Sequence, residues 1–365
     1  MKIKSLFVLV LVYHVVAAQQ VSPRFMCHLS DTVHETSGLI AVSPSRIYTH
    51  NDSGDLPRIF EADTTGAILR TIYLSQANAI DYEDITRDDQ GNFYIGDFGN
   101  NFNNRTDLTI YKIPDPDLNP GDSITASAIH FTYPDQTAFP PVMAEQNFDC
   151  EGIIFYRDSL YLFSKNRGTS HYSRMYRLPA SPGTYTALLV DSFYTYNWVT
   201  SAAINPSGNT VVLLSEAQLF IITGLHNGNF SGADTLRLTM PLTQKEGVSF
   251  LNDSVVYITD EQYGITGGNL YELNIGSWLK VNNPLSEFSY QLSPNPSDGE
   301  LTFSFYNDGL CWIEIIDASG RLVYQKSEIT SGTHFSLPLA SGMYIARITH
   351  NGNEFTPRKL IIQRN

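Results

Sequence analysis

Three cysteines, Cys27, Cys150 and Cys311, are too few and odd in number, so disulfides are not the main staple of this chain. After the N-terminus no apolar run reaches the roughly 20 residues that cross a bilayer, which excludes a transmembrane segment. Basic residues are scarce, with 23 Lys plus Arg against 37 Asp plus Glu and a net charge of −14. Phosphate binding is driven by clustered cations, so nucleic acid and anionic membrane are poor partners, while cations, sugars, peptides and cationic surfaces stay open. Amphipathic helical periodicity is missing throughout. No Gly-x-Ser-x-Gly elbow occurs, and the histidines are scattered, with only His50 falling in a candidate site loop. The run Gly96-Asp97-Phe98-Gly99-Asn100-Asn101 lacks the helix a phosphate-binding loop requires and reads as turns.

What is present begins with Met1 to Ala18. Lys2 and Lys4 precede an apolar stretch from Leu6 to Val16, and Val16-Ala17-Ala18 offers small residues to a peptidase, the pattern of a secretory signal cut after Ala18. From about Pro23 to Lys280 short alternating strands rich in Tyr, Phe, Ile and Val are broken by Gly, Asn, Asp and Pro turns, which predicts an all-β fold. Five segments open alike, at Ser37-Gly38-Leu39, Glu83-Asp84-Ile85, Glu151-Gly152-Ile153, Ser201-Ala202-Ala203 and Glu246-Gly247-Val248, roughly every 45 to 70 residues. Each leads into a second and a third strand. Units of this size cannot bury both faces of their sheet alone, so the expected architecture is a β-propeller. Five blades is the count, and six is the competitor because the long second unit has room for another. A large β-sandwich is the rival architecture. The fifth unit ends without an outermost strand, and Pro23 to Leu29 is the segment free to supply it and close the ring.

Residues 281–289 read as a linker around Asn282-Asn283-Pro284, and a compact β pattern follows. It carries Leu292-Ser293-Pro294-Asn295-Pro296-Ser297-Asp298-Gly299, Ile315-Ile316-Asp317-Ala318-Ser319-Gly320-Arg321, Leu339-Ala340-Ser341-Gly342-Met343-Tyr344 and a final Arg358-Lys359-Leu360-Ile361-Ile362-Gln363. From Tyr290 to Asn365 this resembles the C-terminal sorting domain of type IX secretion cargo. The resemblance implies a small immunoglobulin-like β-sandwich recognised by an outer-membrane secretion machine. Together with the secretory signal, the expected route is export across the inner membrane, then release or attachment at the outer cell surface, with the sorting domain often removed afterwards.

In a propeller the start of each inner strand and the loop joining second to third strands share one mouth of the channel. That geometry gathers Glu83, Glu151 and Glu246 from the inner strands, Glu35 just before Ser37, and Asp52, Asp97 and Asp260 from the loops. Carboxylates drawn together repel and need a cation. Oxygen ligands without a His or Cys cluster favour a hard ion, Ca²⁺ first and Mg²⁺ second. The competing reading makes these acids caps of their own turns, or partners of Arg58, Lys165 or Arg167.

The openings Glu35-Thr36-Ser37-Gly38-Leu39, Asp81-Tyr82-Glu83-Asp84-Ile85 and Asp149-Cys150-Glu151-Gly152-Ile153 resemble those of SdiA-regulated and esterase-like phytase propellers, departing at Asp84 and at Ser201-Ala202-Ala203. That resemblance implies a metal-associated mouth and, for the phytase group, phosphoester hydrolysis. The chain is therefore expected to be a secreted binding or scaffold module with an unknown ligand at its mouth. The alternative is a metal-dependent hydrolase of phosphoesters or lactones using the same acids.

Overall fold

The computed structural model describes residues 19–223, 234–281, 290–305, 310–317, 320–350, 353–354 and 358–364. The secretory signal, almost all of the linker and the C-terminal residue lie outside the described residues. The chain divides into two units, Met1–Gly276 and Ser277–Asn365, so the first ends a few residues before Lys280. Among the described residues strands dominate, with three single-turn 3-10 helices and one short α-helix at Gly276–Val281 that the sequence pattern did not announce. Six residues are too few to show helical periodicity. No described helix is long and apolar enough to cross a membrane.

The strands of the first unit pair into five sheets, and in each the chain runs outward by antiparallel neighbours. The innermost strands are Thr36–Ser43, Tyr82–Arg87, Asp149–Tyr156, Ser201–Ile204 and Lys245–Asn252. Each packs against the next, and Lys245–Asn252 packs back against Thr36–Ser43, so the inner strands follow one another in a closed cycle. The segment Arg24–His28 pairs antiparallel with Asn269–Asn274 and forms the outer strand of the fifth sheet. The N-terminal strand thus covers the edge that the end of the unit leaves unpaired.

A second device ties neighbouring sheets. Ser123–Thr125 runs parallel to Ile68–Ser75 of the first sheet, immediately before Ser127–Thr132 becomes the outer strand of the second. Gly183–Thr186 runs parallel to Ser127–Thr132 before Leu188–Tyr194 closes the third sheet. Gln19–Gln20 does the same against Asp234–Thr239 of the fourth sheet before Arg24–His28 completes the fifth. The extra length of the second repeat is used this way, as a strap and an outer strand.

The core between sheets is aromatic, and several of its tyrosine hydroxyls are provided for, although those of Tyr82 and Tyr133 have no hydrogen-bond partner among the described residues. Tyr94, Phe98, Phe131, Ile153, Leu162 and Tyr176 form one buried layer between the second and third sheets. A tyrosine hydroxyl taken from water needs a partner, and the buried Tyr48, Tyr94 and Tyr176 and the partly buried Tyr271 each donate to an aspartate: Tyr48 to Asp117 at 2.7 Å, Tyr94 to Asp88 at 3.0 Å, Tyr176 to Asp135 at 3.1 Å and Tyr271 to Asp260 at 2.9 Å.

The second unit packs a three-stranded sheet, Tyr290–Ser293, Glu300–Phe305 and His334–Ser336, and a larger sheet around Cys311–Asp317 and Gly342–His350 over one apolar core that includes Leu301, Phe303, Ile313, Ile315 and Ile348. Its motif residues are turn chemistry. Asn295 donates to the Lys359 carbonyl at 2.9 Å and accepts from the Ile361 amide at 2.9 Å, which pins the last strand. Asp317 accepts from the Arg321 amide at 3.1 Å across a turn whose Gly320 has φ +83°.

Candidate functional site

The repeated opening is a β-bulge. Pairing skips a residue between Tyr82 and Asp84, between Cys150 and Gly152, and between Lys245 and Gly247, so Glu83, Glu151 and Glu246 are the unpaired residues. A bulge re-aims the side chain it leaves out. In the first sheet the skipped residue is Gly38, at φ +58°, and the fourth has no bulge, so neither offers a carboxylate here. Gly38 rather than Ser37 is the bulge counterpart of Glu83.

The residues around the bulges tie the inner strands together. Gly152 and Gly247 allow close approach, because a Cβ on either would stand about 3 Å from Ala202 or Leu39 of the next strand. Asp84 stands where the third and fifth openings have Gly152 and Gly247 and does the opposite, reaching inward. Its Oδ1 accepts from the Ile85 amide at 2.9 Å and the Ser201 hydroxyl at 3.1 Å, and its Oδ2 from the amides of Ile153 at 2.9 Å and Ala202 at 3.1 Å. One fully buried carboxylate thereby links the second, third and fourth sheets. Burial pushes its carboxyl up to about 8 and the amide donors pull the other way. Ser201 also accepts from Val248 at 3.2 Å, Ser249 from Ala41 at 3.0 Å and Thr86 from Phe155 at 3.2 Å, carrying the lacing around the ring.

At the mouth Asp52, Asp81 and Glu83 place one carboxylate oxygen each within 4.8 Å of one another, and so do Glu83, Asp149 and Glu151. The two groups differ in their counter-ions. Lys165 lies 2.9 Å from Glu151, and Arg167 lies 2.6 Å from Asp149 and 3.3 Å from Glu151. Trp198 covers this pair, with the Arg167 guanidinium 4.9 Å and the Lys165 ammonium 5.8 Å from its ring centroid. Burial works against the charge on Lys165, but Glu151, Glu246 and Glu83 outweigh it and hold the ammonium protonated. Among the described residues no Lys or Arg comes within 4.0 Å of Asp52, Asp81 or Glu83.

Burial is the largest cause raising each mouth acid, with neighbouring carboxylates adding to it. Asp52 is pushed up to about 6, Asp81 to about 7, Glu246 to about 7 and Glu261 to about 8, while Glu83 and Glu151 are held well above the usual range. Gly99 keeps the cradle open, since a Cβ there would overlap the Glu83 and Asp81 carboxylates.

Of the predicted acids, Glu83, Glu151 and Asp52 are brought together, and Glu246 lies near enough to act on Lys165 and Glu151. Asp97 and Asp260 are committed elsewhere. Asp97 pairs with Arg105 at 3.1 Å and accepts from the Asp81 amide at 3.0 Å. Asp260 takes the Asn269 amide at 2.9 Å and the Tyr271 hydroxyl. Glu35 is half-buried, outside both groups, and 3.9 Å from His34. Arg58 pairs with Asp55 at 2.7 Å, away from the mouth acids. His50 is core: its Nδ1–H donates to the Asn51 carbonyl at 3.0 Å, and burial lowers it to about 4. Sequence reasoning passed over Asp81 and Asp149, although Asp-x-Glu recurs at Asp81-Tyr82-Glu83 and Asp149-Cys150-Glu151. At the far ends of the inner strands lies a cavity of about 690 Å³ lined by Thr86, Phe155, Tyr156 and Phe250 among others.

Residues 291–363 match the family model of the secretion system C-terminal sorting domain. The second unit is a type IX secretion sorting domain. It marks the chain for recognition by the type IX machinery and for export across the outer membrane, to the cell surface or into the medium. A comparison with curated protein sequences finds no match. Among solved structures, PorZ, an essential bacterial surface component of the type-IX secretion system of Porphyromonas gingivalis, is similar over 89% of this chain and 51% of its own, at 13% identity and a TM-score of 0.32. The chain thus spans about half the length of that protein. A gluconolactonase-like protein is similar over 71% of this chain and 94% of its own, at 10% identity and a TM-score of 0.39. A functionally unknown protein from Desulfotomaculum acetoxidans is similar over 82% of this chain and 74% of its own, at 12% identity and a TM-score of 0.32. Likenesses this distant carry nothing about activity.

Proposed function

We propose that the first unit is a five-bladed propeller working outside the cell as a binding module, with a divalent cation held at its mouth by Asp52, Asp81 and Glu83. Met1 to Ala18 would take the chain across the inner membrane before the sorting domain acts. The observation that carries the cation reading is the contrast between the two acidic groups. Asp149 and Glu151 are paired with Lys165 and Arg167, whereas Asp52, Asp81 and Glu83 gather oxygens within 4.8 Å with no Lys or Arg within 4.0 Å among the described residues. An all-oxygen donor set suits Ca²⁺ ahead of Mg²⁺. Bound, the ion would supply the missing positive charge and fix the loops that carry Asp52 and Asp81.

The test is thermal unfolding of the mature chain against Ca²⁺ and chelator. An ion that binds only the folded state stabilises it by about 2.7 kcal/mol at 100 times its dissociation constant. The melting temperature should rise with Ca²⁺, and a variant carrying Asp52→Asn, Asp81→Asn and Glu83→Gln should lose the response. Absence of any Ca²⁺ or Mg²⁺ effect on the parent would remove the ion. Turnover of a phosphoester or lactone by the parent but not the variant would make the protein a hydrolase instead.

A further inference from the structure

Glu246 differs from every other acid of the mouth in what it lacks. It is 7% exposed, and its Oε2 is buried with no hydrogen-bond partner among the described residues. The cations nearby are spent. Lys245 donates to the carbonyls of Glu216 at 3.0 Å and Pro241 at 2.5 Å and to the Thr243 hydroxyl, Lys165 is held by Glu151, and Arg167 by Asp149 and Glu151. Lys165 and Arg167 act on Glu246 from beyond ion-pair distance, against the carboxylates of Asp52 and Glu216, and Glu246 acts in turn on Glu261. A neutral donor would satisfy the oxygen but leave the surplus of negative charge. Glu246 belongs to neither group of converging carboxylate oxygens, so a single charged donor fits it better than an ion that needs several ligands.

The rim beside it is aromatic. Trp198 is 46% exposed although it lies over Arg167 and Lys165, and Tyr194 and Tyr196 precede it at 56% and 57%. His171 stacks on Tyr196 at 4.9 Å and meets Tyr194 at 6.2 Å, and Tyr172 meets Tyr194 at 5.3 Å, so these rings form a shelf that the chain continues to Trp198 two residues on. Exposed Trp and Tyr beside charged side chains is the composition of a protein-binding surface.

We propose that Glu246 receives the ammonium or guanidinium group of a basic side chain on a partner polypeptide, whose flanking residues lie on the Trp198–Tyr196–Tyr194–Tyr172 shelf. The assignment rests on the binding-module reading but uses a different carboxylate from the divalent site. Charge complementarity selects the partner: an acidic mouth with one unpaired buried oxygen admits a cation and rejects an acid or a neutral isostere.

The probe is a fluorescein-labelled peptide of glycine and serine with one central lysine, compared by anisotropy with its norleucine twin in excess chelator on the mature chain. A hydrogen bond to a charged group is strong enough for the lysine peptide to bind about tenfold more tightly. Glu246→Gln should abolish that preference while leaving the Ca²⁺ response of the melting temperature intact. Trp198→Ala should weaken both peptides together. Equal binding of the two peptides, or a lysine preference that survives in Glu246→Gln, overturns the assignment. Loss of the Ca²⁺ response with the lysine preference retained would instead sink the divalent site and leave this one standing.

Discussion

Removing the Asp84 carboxylate should be the most damaging single change in the inner ring. In Asp84→Ala the amides of Ile85, Ile153 and Ala202 lose their acceptor at once, and the Ser201 hydroxyl loses a fourth contact. Each buried donor left unmade costs about 1–3 kcal/mol. Against this stands the relief of no longer burying a carboxylate, whose desolvation is the largest influence on it. A net loss of about 3–5 kcal/mol follows if the donors dominate. For a unit of this size that is a fall in melting temperature of about 6–12 °C. Asp84→Asn should fall between, because its oxygen keeps one pair of donors while its NH₂ faces the other. Thr86→Val is the control, leaving only the Phe155 amide without its partner, for about 1–2 kcal/mol. The assay is thermal and urea unfolding of the mature chain. If Asp84→Ala melts no lower than Thr86→Val, the carboxylate is not the tie between sheets that its contacts describe.

Deleting Tyr290 to Asn365 should leave the first unit folded but retained in the periplasm, and cell fractionation checks it; normal surface delivery would refute the sorting role of the second unit. Deleting Pro23 to Leu29 bares the edge of Asn269–Asn274, and should lower the melting temperature and promote aggregation seen by light scattering. Stability without added cation should fall as pH rises. Asp52, Asp81, Asp84, Glu246 and Glu261 ionise between about 6 and about 8 when folded, but near pH 4 when unfolded, so between those values the folded chain binds more protons. His50 acts the other way: with its folded value lowered to about 4, its contribution is lost as pH falls from about 6.5. Five raised acids outweigh one histidine, so denaturant midpoints should decline from about pH 4 toward pH 8, and a flat or rising limb over that range would contradict the raised values.

The sheets were legible because their strands alternate and their openings repeat, and Arg24–His28 because the fifth repeat stops short of an outer strand. The convergence of Glu83 and Glu151 was legible for the same reason, since position in a repeat becomes position around an axis. The straps at Ser123–Thr125 and Gly183–Thr186 were not. They are too short for periodicity, and each joins a sheet built from another part of the chain. The counter-ion was half legible. Lys165 was a candidate partner, but only the pairing of Asp149 with Lys165 at the ends of adjacent strands delivers its ammonium to Glu151. Asp97 and Asp260 misled because a loop acid at the mouth looks the same in sequence whether its oxygens point to solvent or to its own turn.

That ambiguity has a physical resolution. A buried carboxylate is costly unless donors meet it, so the donors around each acid indicate what it is for. Asp84 has four, all from the inner strands, and Asp260 is met by Asn269 and Tyr271, so neither needs anything from outside. Glu151 and Asp149 are met by Lys165 and Arg167, which makes them a closed structural pair of ion pairs under Trp198. What is left over is the Asp52, Asp81 and Glu83 group and the Oε2 of Glu246, acids that the fold buries with no Lys or Arg within 4.0 Å among the described residues. The first unit can afford them because its inner strands are laced by Asp84, Ser201, Thr86 and Ser249, which do not depend on the mouth. Ligand binding at these acids would then add stability to a ring that already holds, so neutralising them should abolish the response to cation while leaving the folded chain in place.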